Sequence, residues 1–126
     1  MKLLVDTHVL IWLMQDESRL KPHVLATLAD PGNDLFASLA SFWEMAIKRG
    51  NRRLVFTDAE LDEILAYSRI AELSIDKRDV LLAGALPSHH KDPFDRLLLA
   101  QASAREMIFV TSDQRLAAYD VPILWA

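Results

Sequence analysis

The sequence predicts an α/β fold, a three-layer α/β/α sandwich around a short parallel β-sheet. Short apolar segments alternate along the chain with longer segments that have the apolar spacing of helices. The candidate strands are apolar without a clean polar alternation, which is typical of parallel strands covered by helices on both faces. The 126 residues suffice for one hydrophobic core but not for two, so we expect a single domain over residues 1–126.

The N-terminal half is predicted to contain two strands and four helices. Pro22 suits the first turn of a helix, and Pro31–Asp34 has the composition of a turn. Gly50 is expected to end one helix, and a capping box of Thr57 and Glu60 starts the next. In chain order, the elements are a strand at Leu3–Asp6, helices at Thr7–Gln15 and Lys21–Asp30, a strand at Leu35–Ala37, and helices at Ser38–Arg49 and Thr57–Ile70.

The C-terminal half is predicted to contain three strands and three helices. Pro87 limits one helix, because proline disfavours the helical conformation in the residue before it. The segment Met107–Thr111 is rich in residues that favour strands and is expected to be buried. In chain order, the elements are a strand at Glu72–Ile75, helices at Asp76–Ala85 and Asp92–Glu106, the strand at Met107–Thr111, a short helix at Asp113–Tyr119 and a strand at Val121–Trp125.

The composition limits the kinds of site and the cell compartment. The chain has no cysteine, which excludes disulfides, thiolate catalysis and zinc held by cysteine. The N-terminal segment contains Asp6 and His8 and has no small-residue cleavage site, so it does not resemble a signal peptide. No apolar run approaches the ~20 residues of a membrane span. We therefore expect a cytoplasmic protein that has no contact with a membrane.

The chain is acidic overall but contains one strongly basic segment. The net charge of −4 at pH 7, taken alone, argues against binding to nucleic acid. The segment Lys48–Arg53 is nevertheless strongly basic. It can be a solvated helix end, where cations suit the helix dipole, or a patch that contacts a nucleic-acid backbone. The candidate residues for this contact are Lys48, Arg49, Arg52 and Arg53.

Four acidic residues are expected at one edge of the sheet. Asp6 and Asp113 follow predicted strands. Glu44 lies in an early turn of the helix after the second strand, and Asp95 lies in the first turn of its helix. In open parallel sheets, ligands bind outside the carboxyl ends of the strands, and these four side chains are expected to meet there.

Each of these acids, taken alone, has a structural explanation. Asp6 and Asp113 can cap helices, and Ser41 with Glu44 fits a capping box. Together, however, carboxylates crowded at one edge repel each other unless a cation lies between them. A divalent ion with hard oxygen ligands, Mg²⁺ or Mn²⁺, is the natural compensation and is suited to cleavage of a phosphodiester.

Four sequence segments occur in a specific order, namely LLVDTHVLIWL, SFWEMAIKRG, HHKDPFDRLLLAQA and IFVTSDQRLAAYDVPILW. In this order they resemble the PIN-domain family and, within it, the VapC-type toxins of bacterial toxin–antitoxin pairs. The resemblance implies an endoribonuclease that depends on Mg²⁺ or Mn²⁺. By position, the catalytic residues would be Asp6, Glu44, Asp95 and Asp113, the metal would be held chiefly by Asp6, Asp95 and Asp113, and Thr111 or Ser112 would assist.

The resemblance also implies partners, and it implies different roles for the two aspartates of HHKDPFDRLLLAQA. The implied partners are an RNA substrate, a VapB-type antitoxin and a second copy of the chain in a homodimer. The family acid corresponds to Asp95, so Asp92 and Pro93 are interpreted as the N-cap and first residue of the helix. His89 and His90 are expected in a solvated loop, and Arg96 is expected to pair with a nearby acid.

Two other classes of function remain as alternatives. A receiver-like signalling domain also holds Mg²⁺ with acids at strand ends, but it needs adjacent acids after the first strand, where Asp6 stands alone. A non-catalytic binding module could use the acidic pocket to hold a basic peptide. Metal titration separates these classes, because the nuclease requires divalent binding that depends on Asp6 and Asp95.

Overall fold

The computed structural model describes all residues, 1–126, and contains one five-stranded parallel sheet. Its strands are β1 (Lys2–Val5), β2 (Asp34–Ser38), β3 (Ile70–Leu73), β4 (Ile108–Thr111) and β5 (Ile123–Trp125). The order across the sheet is β3-β2-β1-β4-β5, and each neighbouring pair is parallel. The predicted parallel sheet is therefore confirmed.

Six α-helices and two short 3-10 turns connect the strands. The helices are α1 (Thr7–Gln15), α2 (Pro22–Ala29), α3 (Leu39–Gly50), α4 (Asp58–Tyr67), α5 (Lys77–Ala85) and α6 (Pro93–Ala104). One 3-10 turn, Glu17–Arg19, was not predicted, and the other, Gln114–Ala118, lies where a short helix was expected. None of the helices has the length and apolar character needed to cross a membrane.

Side chains on the two faces of the sheet fill two separate cores. Successive residues of a strand point to opposite faces. Leu3 and Val5 of β1 therefore pack with residues of α1, α2 and α4, whereas Leu4 between them packs with residues of α6. In β4, Phe109 and Val110 divide between the two cores in the same way. Helices thus cover both faces, and the α/β/α sandwich is confirmed.

The end of α4 differs from the prediction. The helix ends at Tyr67 rather than Ile70, because Arg69 has a φ of 53° and turns the chain into the next strand. As a result, β3 begins at Ile70, two residues before the predicted start at Glu72.

Left-handed residues also follow α3 and α6. α3 continues through Gly50, which was predicted to end it, and Arg52 beyond it has a φ of 64°. Glu106, after α6, has a φ of 54°. Glycine is common at such positions because it has no Cβ, so these longer side chains leave the backbone strained.

A buried ion pair joins the start of α5 to the end of α6. Asp79 is fully buried and accepts hydrogen bonds from Arg105 at 2.7 and 2.9 Å. Gln101 of α6 also donates to Asp79, at 3.3 Å. Burial acts to raise the pKa of Asp79, but these hydrogen bonds, chiefly from Arg105, outweigh it and hold the pKa at about 2. The pair fixes α6, which carries part of the candidate site.

The strand order sets where a ligand can bind. The chain runs from β1 outward to β2 and β3 on one side and from β4 to β5 on the other. The direction therefore reverses between β1 and β4, and in such sheets the crevice beyond the strand ends at this reversal holds the ligand. Asp6 follows β1, and its backbone N–H donates to the carbonyl of Val110 in β4 at 2.9 Å. Asp6 is thus placed in this crevice.

Candidate metal and active site

Asp6 is buried beside β4 with one oxygen satisfied and one left without a partner. The side chain is 2% exposed. Its Oδ2 accepts a 2.6 Å hydrogen bond from Thr111 Oγ1, whereas Oδ1 has no hydrogen-bond partner. Asp6 occupies the N-cap position of α1, but its side chain caps nothing, so the simple capping explanation is wrong. Burial raises the pKa of Asp6 above its ordinary value.

Asp92 and Asp95 have different structural roles, as the sequence predicted. Asp92 is the N-cap of α6, and its Oδ1 accepts from the backbone N–H groups of Phe94 at 2.8 Å and Asp95 at 3.3 Å. Asp95, in the first turn of α6, is 9% exposed, and its Oδ2 lies 2.8 Å from His90 Nε2. Burial, followed by the charge of Asp6, raises the pKa of Asp95 to about 7.

Glu44 reaches the same group of acids from the second turn of α3. The helix begins at Leu39 with Ser38 as its N-cap, so the expected capping box of Ser41 and Glu44 does not form. Glu44 is 8% exposed, and its Oε1 has no hydrogen-bond partner. The charge of Glu44 contributes to the raised pKa of Asp6, after the effect of burial. Glu44 is therefore close enough for its charge to act on Asp6, and we include it in the site.

Asp113 lies at the outer side of the site and is held by Arg115. It caps the 3-10 turn by accepting from the Arg115 backbone N–H, and it also accepts from the Arg115 side chain at 2.9 and 2.8 Å. These hydrogen bonds lower the pKa of Asp113. Its backbone N–H donates to Thr111 Oγ1 at 3.1 Å, so Thr111 connects Asp113 to Asp6. Ser112, the residue between Thr111 and Asp113, is half-buried.

His90 belongs to the site, and the expectation of a solvated loop was wrong for this residue. It is 8% exposed, and its Nε2 lies 2.8 Å from Asp95 Oδ2 and 4.0 Å from Asp113 Oδ2. Its neighbour His89 instead packs edge-on against Tyr119, with ring centroids 5.2 Å apart. Two adjacent histidines in a loop carry no periodic signal, so the sequence offered nothing to distinguish them.

Arg96 and Tyr119 hold the loop that carries His90. Arg96 was expected to pair with an acid, but its guanidinium donates to backbone carbonyls instead. The acceptors are the carbonyls of Ala83, Leu86, Pro87 and His90, at 2.8 to 3.2 Å. Tyr119 Oη accepts from the His90 backbone N–H at 3.0 Å and donates to the Pro87 carbonyl at 2.8 Å. The loop after α5 is thereby tied to α6, which supports Asp95.

The basic segment Lys48–Arg53, which begins in the last turn of α3, has ion pairs at its first two residues. Lys48 Nζ lies 3.3 Å from Glu44 Oε2, one helical turn away. Arg49 pairs with Asp58 at 2.7 Å. Arg52 and Arg53 are exposed in the following turn. The segment therefore begins beside the acidic site and extends away from it over the surface.

The geometry is suited to a metal ion. The ligand atoms of His90, Asp95 and Asp113 all lie within 4.8 Å of one another. Two further oxygens, Oδ1 of Asp6 and Oε1 of Glu44, are buried without a partner. Buried carboxylates without partners are costly, and a divalent cation supplies the missing charge and ligand contacts. The residues present thus fit a bound divalent ion.

Comparisons with solved structures agree with this fold. VapBC2 from Rickettsia felis, solved with a DNA fragment from its promoter, has a TM-score of 0.74 at 14% identity, over 98% of each chain. DNA-bound VapBC from Salmonella typhimurium also has a TM-score of 0.74, at 16% identity, over 98% of this chain and 97% of that one. VapBC-5 from Mycobacterium tuberculosis, of the VapBC family of toxin–antitoxin systems, has a TM-score of 0.62 at 21% identity, over 99% and 98%.

Sequence comparison assigns the family. Among curated proteins, no sequence matches this chain significantly. The family model described as the PIN domain matches residues 3–122, which include all four acids as well as His90. This match spans nearly the whole chain, and the expected resemblance is confirmed: the chain belongs to the PIN-domain family.

Proposed function

We propose that this PIN domain is a metal-dependent endoribonuclease and acts as a VapC-type toxin that a VapB-type antitoxin neutralises. The observation that carries the proposal is the group of buried carboxylates at the β1–β4 crevice, with oxygens of Asp6 and Glu44 left without partners. The family match supports a nuclease, since PIN domains are in general nucleases that use divalent metals. The whole chain, residues 1–126, would act as one cytoplasmic domain.

The residues proposed to hold the metal are Asp6, Asp95 and Asp113, and Glu44 completes the catalytic set. Bound there, Mg²⁺ or Mn²⁺ would neutralise the charge that develops on the scissile phosphate. Thr111 keeps Asp6 in place through its 2.6 Å hydrogen bond. Ser112 is the second hydroxyl proposed to assist.

Glu44 is the residue proposed to accept a proton. Cleavage adds the oxygen of a water molecule to phosphorus and breaks one P–O bond. The water loses a proton, and the departing oxygen of the RNA strand takes up a proton from solvent. Glu44 Oε1 has no hydrogen-bond partner and is free to accept the proton of the water, while Oε2 is held by Lys48. Rigid mounting of Glu44 on α3 keeps this oxygen at a fixed position.

Replacement of Asp6 tests the proposed chemistry. We expect Asp6→Asn to abolish divalent-dependent RNA cleavage while the protein stays folded, because the amide keeps the shape but removes the charge. The matched control is Asp62→Asn, which changes an exposed acid of α4. Cleavage of total RNA is measured with Mn²⁺ and with EDTA. A folded Asp6→Asn protein that still cleaves RNA would exclude this site, and failure of the wild type to bind any divalent ion would favour a non-catalytic binding module.

The basic segment is proposed to contact the RNA backbone through Lys48, Arg49, Arg52 and Arg53. We expect replacement of Arg52 and Arg53 by alanine to weaken RNA binding and to flatten its salt dependence by roughly one unit of slope per lost phosphate contact. The control is the double alanine variant of Lys77 and Arg78, another adjacent pair of exposed cations. Equal slopes for both variants and the wild type would show that Arg52 and Arg53 form only a solvated turn.

The antitoxin is proposed to insert a cationic side chain among the carboxylates. Several of the similar solved structures are VapBC complexes, and one is described as a toxin–antitoxin complex from Klebsiella pneumoniae. An arginine can pair with these acids much as a metal does. Co-expression of the neighbouring gene should suppress toxicity and yield a copurifying complex. Absence of any such partner would remove the toxin part of the proposal and leave the nuclease part.

A homodimer is proposed through exposed apolar residues on α3 and α5. Trp43 is 62% exposed and Val80 is 54% exposed, and both line one surface groove together with Phe94. Such residues are costly in water and are typical of protein interfaces. Light scattering should show a dimer that Trp43→Glu converts to monomer. The control is Tyr67→Glu, which changes a side chain that is 87% exposed and lies outside this groove.

A further inference from the structure

We infer that His90 is itself a metal ligand, so that the site binds Mn²⁺ in preference to Mg²⁺. This inference rests on the proposed function, because it concerns the metal of the same site. It adds a nitrogen ligand to a site for which sequence reasoning gave only oxygen ligands. The nitrogen ligand therefore predicts which of the two ions, Mg²⁺ or Mn²⁺, binds more tightly.

The position of His90 Nε2 suits a shared ion. It lies 2.8 Å from Asp95 Oδ2 and 4.0 Å from Asp113 Oδ2, and the three ligand atoms are within 4.8 Å of each other. Ligands of a six-coordinate ion at about 2.1 Å lie roughly 3 Å apart when adjacent and roughly 4 Å apart when opposite. Small side-chain movements thus suffice to bring all three atoms onto one ion.

The loop holds His90 in this position before any ligand arrives. The His90 backbone N–H donates to Tyr119 Oη at 3.0 Å, and its carbonyl accepts from Arg96 at 3.2 Å. The imidazole is therefore buried at the site by contacts that do not involve the ring itself. His90 Nε2 and Asp95 Oδ2 are 2.8 Å apart, within hydrogen-bond distance, and a metal ion bound by both atoms would replace this hydrogen bond.

Two buried carboxylate oxygens without hydrogen-bond partners indicate that the site has room for a metal ion and its water ligands. Asp6 is 2% exposed and Glu44 is 8% exposed, yet Oδ1 of Asp6 and Oε1 of Glu44 make no hydrogen bond. The charge of Glu44 acts on Asp6, and the charge of Asp6 acts on Asp95, so these groups are close in space. Buried polar atoms are almost always paired, and a bound ion with its water ligands accounts for these two.

The donor set determines the preferred ion. Carboxylate oxygens suit Mg²⁺ and Mn²⁺ alike, whereas an imidazole nitrogen suits transition metals and is a poor ligand for Mg²⁺. A site of one imidazole and several carboxylates is therefore expected to favour Mn²⁺. Without the imidazole, the preference should decrease, because the remaining ligands discriminate little between the two ions.

Pulsed EPR of the Mn²⁺-loaded protein tests this directly and does not depend on activity. We expect ¹⁴N coupling to Mn²⁺ in the wild type, since a directly bound imidazole nitrogen gives such coupling. The coupling should be absent in His90→Gln and present in His89→Gln, the adjacent control. A second control, His8→Gln, excludes the exposed histidine near Asp6 as its source.

Calorimetric titration gives the selectivity. We expect the ratio of the Mg²⁺ to the Mn²⁺ dissociation constant to fall by at least about tenfold in His90→Gln and to stay unchanged in His89→Gln. Divalent binding without ¹⁴N coupling, or with an unchanged ratio in His90→Gln, would overturn the inference but leave the proposed metal site intact. No divalent binding in the wild type would instead overturn the proposed function. If His90→Gln does not fold, the wild-type ¹⁴N signal with the His8→Gln and His89→Gln controls decides the question.

Discussion

The charge of Asp95 should destabilise the protein when no metal is bound. Burial and the charge of Asp6 raise its pKa from an ordinary value of 3.8 to about 7. The folded protein therefore holds the Asp95 proton more tightly than the unfolded chain does. The favourable contribution of this proton is complete below pH 4 and is lost as the pH rises through about 7. Replacement of Asp95 by asparagine removes the titrating group and keeps the size of the side chain.

The size of the pKa shift of Asp95 sets the expected change in unfolding free energy. Three pKa units correspond to roughly 4 kcal/mol, and relaxation of a site with several interacting acids reduces this to on the order of 2 to 4 kcal/mol. Above about pH 7, metal-free Asp95→Asn should thus be more stable than the wild type by up to this amount. At about pH 4, where Asp95 is protonated in the folded state, the two proteins should differ little.

Urea unfolding in EDTA at about pH 5 and about pH 8 measures the effect. We expect the difference in unfolding free energy between Asp95→Asn and the wild type to grow in favour of the variant at the higher pH. Addition of Mn²⁺ at about 100 times its dissociation constant should stabilise the wild type by about 2.7 kcal/mol and leave the variant unchanged. A wild type that is more stable than Asp95→Asn in EDTA at about pH 8 would refute the conclusion that the charge of Asp95 destabilises the metal-free protein.

Three further predictions concern stability outside the site. Asp92→Ala should lower the unfolding free energy by about 1 kcal/mol through loss of the α6 N-cap and should retain Mn²⁺ binding, as calorimetry can check. Asp79 has a pKa lowered to about 2, so its contribution is present above pH 4 and lost as the pH falls towards 2. The difference in unfolding free energy between wild type and Asp79→Asn should therefore shrink by about 2 kcal/mol over that range. Glu106→Gly should stabilise by about 1 kcal/mol, or about 4 °C in Tm, because Glu106 has a left-handed φ of 54°; an unchanged or lower Tm would contradict this.

Residue types and their spacing were enough to predict the fold class and the edge of the sheet where the four acids lie. The spacing of apolar residues encodes the order of strands and helices, and parallel strands place their carboxyl ends at one edge. Local chemistry also sufficed for Asp92 and Asp95, because an N-cap side chain accepts from backbone N–H groups only two and three residues further along the chain. Short-range rules were weaker at helix ends, because left-handed Arg52 lies beyond the expected Gly50 and left-handed Arg69 follows α4, where no glycine occurs.

The other groups that join these acids are brought to the site by contacts between distant segments of the chain. His90 and Asp95 are five residues apart, but the contact depends on Tyr119 and Arg96, which fix the loop between α5 and α6. The hydrogen bond from Thr111 to Asp6 joins residues 105 positions apart. Such contacts, and the burial that raises the pKa of Asp95, depend on how the elements pack across the sheet. Residue type and spacing along the chain do not encode them, because a side chain's surroundings are set by segments that are distant in sequence.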